Sequence, residues 1–230
     1  MTTTLITGAN KGLGHETARR LVEAGHTVYA AARDPERGRA AAERIGARPL
    51  VLDVTDDASV SAAAKTVEAD GGLDVLINNA GIEDAPTPTA EVTADLMRRL
   101  FETNVFGIVR VSHAFLPLLH RSADPVVVNV SSGLASKTLV SAAGTPMHGY
   151  PGLAYPASKS AVNMITVQYA KAFPHMRVNS VEPGFTATDL NDHRGTQSVQ
   201  EGAEIIVRMA RIGQDGPTGG YFDVHGSLPW

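Results

Sequence analysis

Two residues four apart, Tyr155 and Lys159 in the string YPASK, raise the first chemical question. At the start of a helical stretch this spacing puts a phenol and an ammonium on one face, one turn from each other. A cation that close favours tyrosinate over phenol. The pair therefore predicts a Tyr155 pKa lowered toward working pH, and a side chain able to pass a proton to a carbonyl oxygen. Tyr150 stands nearby, but only Tyr155 has a lysine four residues on, so Tyr150 is expected to line a pocket or anchor a loop. Upstream, PVVVNVSSG reads as a buried strand ending in Ser131 and Ser132. A hydroxyl there lies at the carboxyl edge of a sheet and can donate to a substrate oxygen. LDVLINNAG ends another strand at the same edge with Asn78, Asn79, Ala80 and Gly81.

The partner for this chemistry is suggested by TGANKGLG, Thr7 to Gly14, directly behind the apolar LI. Glycines between a buried strand and a helix start leave backbone N–H groups unpaired and let a ligand approach without Cβ atoms in the way. Those donors and the positive end of the helix dipole suit a pyrophosphate. The spacing Gly8, Gly12, Gly14 is G-x-x-x-G-x-G, different from the common G-x-G-x-x-G. The second strand ends Ala31-Ala32-Arg33, with no carboxylate at its tip to hold a ribose 2′-hydroxyl. Arg33, Arg37 and Lys11 are expected to converge on a 2′-phosphate, which favours NADP(H); Asp34 is the one residue placed to favour NAD(H) instead.

These residues need a scaffold, and the chain alternates apolar β-branched runs with alanine-rich amphipathic stretches. The strands read as TLIT, TVYAAA, RPLVLD, LDVLIN, PVVVNVS and MRVNSVEP, with a last edge strand in GGYFDVHGSLPW. Helices are expected over 13–24, 36–45, 57–69, 93–121 and 155–173. Unbroken runs such as DVLI and VVV imply strands buried on both faces, hence a doubly wound parallel sheet of about seven strands with helices on both sides. The segments 136–152 and 191–200 read as loose. At 230 residues with no Pro/Gly/Ser-rich linker and no repeat, a single α/β domain over 1–230 is expected.

Composition narrows the function. A net charge of -4 gives no basic field for nucleic acid, and the absence of cysteine removes disulfides and thiolate catalysis. No apolar run reaches the length of a membrane span, so a cytoplasmic protein without a membrane partner is expected. The eight histidines are scattered, and His113 and His120 on one helix lack the spacing of metal ligands, so no metal is expected. Asp56, Asp57, Asp74 and Asp84 read as caps and turns.

Taken in order, TGANKGLG, Asp53 in LDV, NNAG at Asn78–Gly81, Asn104 in TNVFG, Ser132 in VNVSSG, YPASK and EPGFTATDL resemble the short-chain dehydrogenase/reductase family over residues 7 to about 190. The resemblance implies a single-domain Rossmann fold and an oxidoreductase acting on carbonyl or alcohol groups with a nicotinamide cofactor. It makes Tyr155 the general acid in reduction and gives Lys159 the nicotinamide ribose. Ser132 would polarise the substrate carbonyl, and Asn104 would keep a water linking the lysine to solvent. Cofactor contacts are implied for Gly8, Asn10, Lys11, Gly12, Leu13, Gly14, Arg33, Arg37, Asp53, Val54, Asn79, Ala80 and Gly81. At the nicotinamide end they are implied for Tyr155, Lys159, Pro183, Gly184, Phe185 and Thr188. Through Lys11, Arg33 and Arg37 the chain is most similar to NADPH-dependent carbonyl reductases, or ketoreductases.

Between Ser132 and Tyr155 lie 22 residues, more than is usual in the family. The extra chain within 136–152 is expected to shape the substrate pocket or cover an interface, giving a monomer or homodimer ahead of a tetramer. Leu134, Met147, Tyr150 and Phe185, with Ser132, are the candidate substrate contacts, and they predict an apolar pocket. The rival readings are an NAD-dependent alcohol dehydrogenase of the same family and a catalytically silent dinucleotide-sensing module.

Overall fold

A computed structural model describes residues 1–84 and 87–230. The strands are β1 (Thr3–Ile6), β2 (Thr27–Ala32), β3 (Arg48–Val51), β4 (Val75–Asn78), β5 (Val126–Val130), β6 (Arg177–Val181), β7 (Tyr221–Asp223) and β8 (Gly226–Ser227). They form one sheet in the order β3-β2-β1-β4-β5-β6-β7-β8, parallel throughout except for the short β8, which turns back along β7. The eighth strand is two residues long, too short to show as a pattern in sequence.

Alternate residues of each strand feed two apolar layers. Leu5, Leu76, Val127 and Val178 face one layer with Val60, Val111 and Phe115, from α3 (Asp57–Ala69) and α5 (Gly107–Leu119). Ile6, Ile77, Val128 and Val181 face the other with Leu21, Ile205 and Ile206, from α1 (Gly12–Glu23) and α8 (Val199–Ala210). With both faces covered, strands such as β5 are buried at every position and lose the alternation of a half-exposed strand.

Three departures from the expected helices bear on the site. The single helix expected over 93–121 is α4 (Ala94–Phe101), a π-helical turn over Glu102–Phe106, then α5, so the chain bulges where Asn104 sits. Helix α8 was not expected at all. Its start is set by a capping box in which the Ser198 hydroxyl accepts from Glu201 N while the Glu201 carboxylate accepts from Ser198 N. The segment 191–200 before it is tied down by a bridge between Thr186 and Gln197 and by a second capping box, Thr188 with Asn191. Within the expected loose stretch 136–152, Lys137–Ser141 forms the short helix α6, capped by Ser136. Helices α2 (Pro35–Ile45) and α7 (Ala154–Ala172) complete the set.

Crossing from β3 on one side of β1 to β4 on the other makes a topological switch point at the carboxyl ends of β1 and β4. The glycine loop follows β1 and the Asn-Asn-Ala-Gly stretch follows β4.

Candidate active site

The two loops at the switch point are stitched together. Thr7 Oγ1 accepts from Asn79 N and Ala80 N, each at 3.0 Å, and Asn79 Nδ2 donates to Thr7 O at 2.9 Å and Gly8 O at 3.2 Å. Gly8 and Gly12 have φ of 65° and 55°, and a Cβ on Gly14 would lie 2.5 Å from Asn79 Nδ2 and 2.6 Å from Gly8 O. Only glycine fits that turn. Helix α1 begins behind it with Lys11 as N-cap and no side-chain cap, so its first-turn N–H groups are left for a ligand. Asn10 is half-buried in the turn, and Leu13 points back into the apolar layer.

At the tip of β2, Arg33 and Arg37 are exposed and Asp34 is occupied as the N-cap of α2, accepting from Glu36 N and Arg37 N. Lys11, expected to converge with the two arginines, is instead paired with Asp189 at 2.7 Å. After β3, Asp53 accepts from Thr55 N and Thr55 Oγ1, and Val54 is buried against Gly107 at the start of α5. Burial would raise the Asp53 pKa, but those Thr55 hydrogen bonds hold it below the usual carboxylate value.

The proton-handling residues meet at the carboxyl ends of β4 and β5. Tyr155, 8% exposed, is the second residue of α7, and its hydroxyl is hydrogen-bonded to the Ser132 side chain. Ser132 Oγ also accepts from Leu134 N at 3.3 Å. The Lys159 ammonium lies 5.7 Å from the Tyr155 ring centre and donates to Val130 O at 2.9 Å. Asn104, wholly buried, grips both sides of one residue: its Oδ1 accepts from Ile82 N at 2.8 Å and its Nδ2 donates to Ile82 O at 2.9 Å. The same Nδ2 reaches Ser158 Oγ. A Cβ on Gly81 would sit 3.4 Å from Asn104 Oδ1 and 3.5 Å from Lys159 Nζ, which places the β4 loop, the π turn and α7 in one cluster.

The electrostatics differ from the sequence expectation. The ammonium was expected to lower the Tyr155 pKa, yet burial pushes that phenol well up, and the carboxylates of Glu83 and Glu182 push it further. Burial also drives Lys159 down to about 8, opposed by the same two carboxylates. Neither acid was assigned a role from sequence. Glu83 follows the Asn-Asn-Ala-Gly stretch, and its Oε1 accepts from the Tyr150 hydroxyl at 2.7 Å. Glu182, at the end of β6, accepts from Gly184 N at 2.7 Å and from Gly133 N. Burial raises the pKa of both. The signal for Glu182 was an acidic residue directly after a strand, at the head of EPGFTATDL; Glu83 gave none.

The remaining candidates surround this cluster. Pro183 and Gly184 follow Glu182, with Gly184 at φ 79° and Gln197 packed against it. Thr188 lies against Gly12, with its Cγ2 3.5 Å from where a Cβ would stand. Phe185 is 54% exposed. Leu134 packs with Leu100, Ala154 and Tyr155, and Met147 lies against Gly133. Beside these apolar side chains the surroundings of Tyr155 include two carboxylates, Glu83 and Glu182. Trp230 stacks on Tyr221 at 5.5 Å between ring centres. Among the described residues no three His, Asp or Glu are placed to hold a metal, and no helix is long and apolar enough to cross a membrane.

A parallel sheet with a glycine loop at its switch point and a buried Ser-Tyr-Lys cluster at the same edge defines a dinucleotide-dependent oxidoreductase of the single-sheet type. The short chain dehydrogenase family model matches residues 2–198, and the chain belongs to that family. A short-chain dehydrogenase of Penicillium roqueforti is 39% identical over 226 residues, covering 91% of this chain and 88% of that protein. A (+)-neomenthol dehydrogenase of Arabidopsis thaliana is 33% identical over 279 residues, covering 95% and 94%. Among solved structures, an NADPH-bound carbonyl reductase from chicken fatty liver superposes with a TM-score of 0.87 at 26% identity, covering 100% of this chain and 99% of that one. The protein is a short-chain dehydrogenase/reductase acting on carbonyl or alcohol groups.

Proposed function

We propose that the enzyme reduces a ketone or aldehyde with NADPH, with Tyr155 as the general acid. The observation that carries this reading is the hydrogen bond between the Ser132 side chain and the buried Tyr155 hydroxyl, with the Lys159 ammonium 5.7 Å from the tyrosine ring. The glycine loop fits a pyrophosphate, since a Cβ at Gly14 would fill the cradle and the α1 N–H groups carry no side-chain cap. When bound, the nicotinamide supplies the hydride.

The chain's own residues do the rest. Ser132 donates to the substrate carbonyl oxygen and holds it beside the Tyr155 hydroxyl. Tyr155 gives its proton to that oxygen as it becomes an alkoxide, so the protonated phenol is the competent form, and the burial that raises its pKa keeps it protonated at neutral pH. Lys159 lies in hydrogen-bonding surroundings between Val130 O and Asn104's loop, positioned to hold a ribose hydroxyl and replace the lost proton. Asn104 fixes Ile82 and, through Gly81, the wall of the same cavity. Leu134, Met147, Tyr150 and Phe185 are the proposed substrate contacts.

NADPH is favoured over NADH because Asp34 is committed to the N-terminus of α2 while Arg33 and Arg37 stand exposed at the tip of β2. The Lys11–Asp189 pair is exposed on both sides and screened by water, so Lys11 is free to turn to a phosphate. The NADPH-bound carbonyl reductase of the same fold supports the choice. The test is to measure binding of both cofactors to wild type and Arg33→Ala, then follow NADPH absorbance against ketones, aldehydes and quinones. Equal or tighter NADH binding would end the cofactor claim, and inertness toward every carbonyl would end the reductase claim.

A further inference from the structure

The bond between Ser132 and Gly133 is one peptide group held from both ends by side chains that lie far away in sequence. Its carbonyl, Ser132 O, accepts from the Tyr221 hydroxyl at 2.5 Å as well as from Ala135 N at 2.8 Å. Its N–H, on Gly133, donates to the Glu182 carboxylate. Tyr221 is 2% exposed on β7, and Glu182 directly follows β6, the neighbouring strand. Gly133 has no room for a side chain, since a Cβ would come 3.2 Å from Glu182 Oε1 and 2.5 Å from Met147 Cε.

A polar side chain this enclosed costs stability unless it is fully paired, and a carboxylate costs more than a hydroxyl. The hydrogen bonds that offset this cost for Glu182 come from backbone N–H groups: Gly133 N in the serine loop and Gly184 N in the loop after β6. One carboxylate therefore ties together the loop carrying Ser132 and the loop proposed to bound the nicotinamide. Tyr221 extends the tie to the C-terminus. Its ring stacks on Trp230 with 19° between planes, and Trp230 O accepts from Thr138 N and Thr138 Oγ1 in α6.

We propose that Glu182 and Tyr221 are positioning residues that clamp the Ser132–Gly133 peptide and so aim the Ser132 hydroxyl at the reacting carbonyl. The clamp gives work to Tyr221 and to the hydrogen bonds of Glu182, beyond the field that its carboxylate exerts on Tyr155. A peptide free to rotate about its flanking torsions would swing Ser132 Oγ away from Tyr155, and a displacement of about 1 Å in such a group costs up to about a hundredfold in rate. The inference rests on the assignment of Ser132 to the substrate oxygen made above.

The variants are E182Q and Y221F. Glutamine matches glutamate in shape but offers one acceptor oxygen to two N–H donors, and phenylalanine removes only the hydroxyl. Hydrogen–deuterium exchange on the ligand-free protein reads the clamp directly, without substrate or cofactor. Both variants are expected to speed exchange at the amides of 132–135 about tenfold or more while leaving α1 unchanged. With the ketone that wild type turns over fastest, kcat should fall tenfold to about a hundredfold with KM for NADPH within about twofold of wild type. Combined with Ser132→Ala, either change should cause little further loss, because the two act through one hydroxyl. Wild-type exchange at those amides in either variant, or losses that multiply in full with that of S132A, would overturn the clamp. Should E182Q fail to fold, Y221F carries the test alone. Wild-type turnover by S132A itself would instead remove the assignment of Ser132 and leave the exchange result standing.

Discussion

Replacing Lys159 by Met is expected to stabilise the protein while abolishing its activity. Lys159 is 4% exposed, and burial lowers its pKa from 10.5 to about 8 even though Glu83 and Glu182 pull the other way. That displacement corresponds to about 3 kcal/mol of cost to the folded state at neutral pH. Loss of the hydrogen bond to Val130 O takes back about 1 kcal/mol, and the methionine chain occupies most of the vacated volume. The net gain of about 2 kcal/mol should raise Tm by about 5 °C in a chain of this size.

The gain must also depend on pH in a defined direction. Below pH 8 the lysine is charged in both folded and unfolded chains, and wild type carries the whole penalty. Between 8 and 10.5 the folded lysine is neutral while the unfolded one still binds a proton, so wild-type stability rises with pH relative to the variant. Above 10.5 both are neutral and the advantage of the variant is gone. Denaturant unfolding of both proteins at steps from pH 7 to 10.5 reads the difference, and groups that Lys159 does not touch cancel to first order. A K159M protein less stable than wild type at pH 7, or an advantage constant up to pH 10.5, would show that the ammonium is not paying a desolvation cost at this position.

Two further outcomes follow from the same geometry. Tyr155→Phe should lower carbonyl reduction by about 10²–10⁴-fold with NADPH affinity unchanged in a fluorescence titration, and turnover at the wild-type rate would place the acid elsewhere. Gly14→Ala forces a methyl to within 2.6 Å of Gly8 O, so the loop must open and the dinucleotide Kd should weaken by about tenfold or more; unchanged affinity would show that the pyrophosphate is seated somewhere else.

How much of this was legible in the sequence depends on whether the cause is local. The glycine loop, the buried strands and the Tyr155–Lys159 spacing are local patterns, and they led to the sheet and to its active edge. The π turn at Glu102–Phe106 left no trace because the apolar period runs on through it from α4 into α5. Helix α8 was missed although its Ser198–Glu201 box is a sequence signal, since the polar run before it read as a loop. Asp34-Pro35 likewise carries the signature of a helix start, and the α2 N–H groups claim the Asp34 carboxylate that a ribose would otherwise use. Non-local effects were out of reach: Glu83 and Glu182 come from the ends of β4 and β6, and nothing in YPASK announces that they bracket its tyrosine.

Those two acids change what the lysine is for. From the sequence, Lys159 was the charge that would ionise Tyr155. In the folded protein the tyrosine is enclosed with two carboxylates and its pKa goes up, so the net field at the phenol is set by burial and negative charge. The ammonium faces both carboxylates at once, and they alone raise its own pKa against desolvation. Lys159 therefore acts at rest as a counter-charge to Glu83 and Glu182. In turn they keep Tyr155 protonated, the state from which a carbonyl reductase must start. If that is correct, neutralising either acid lowers the phenol's pKa, and the alkaline limb of the reduction profile moves to lower pH in E182Q and in Glu83→Gln. A limb that stays in place in both variants would mean that burial by itself holds the proton.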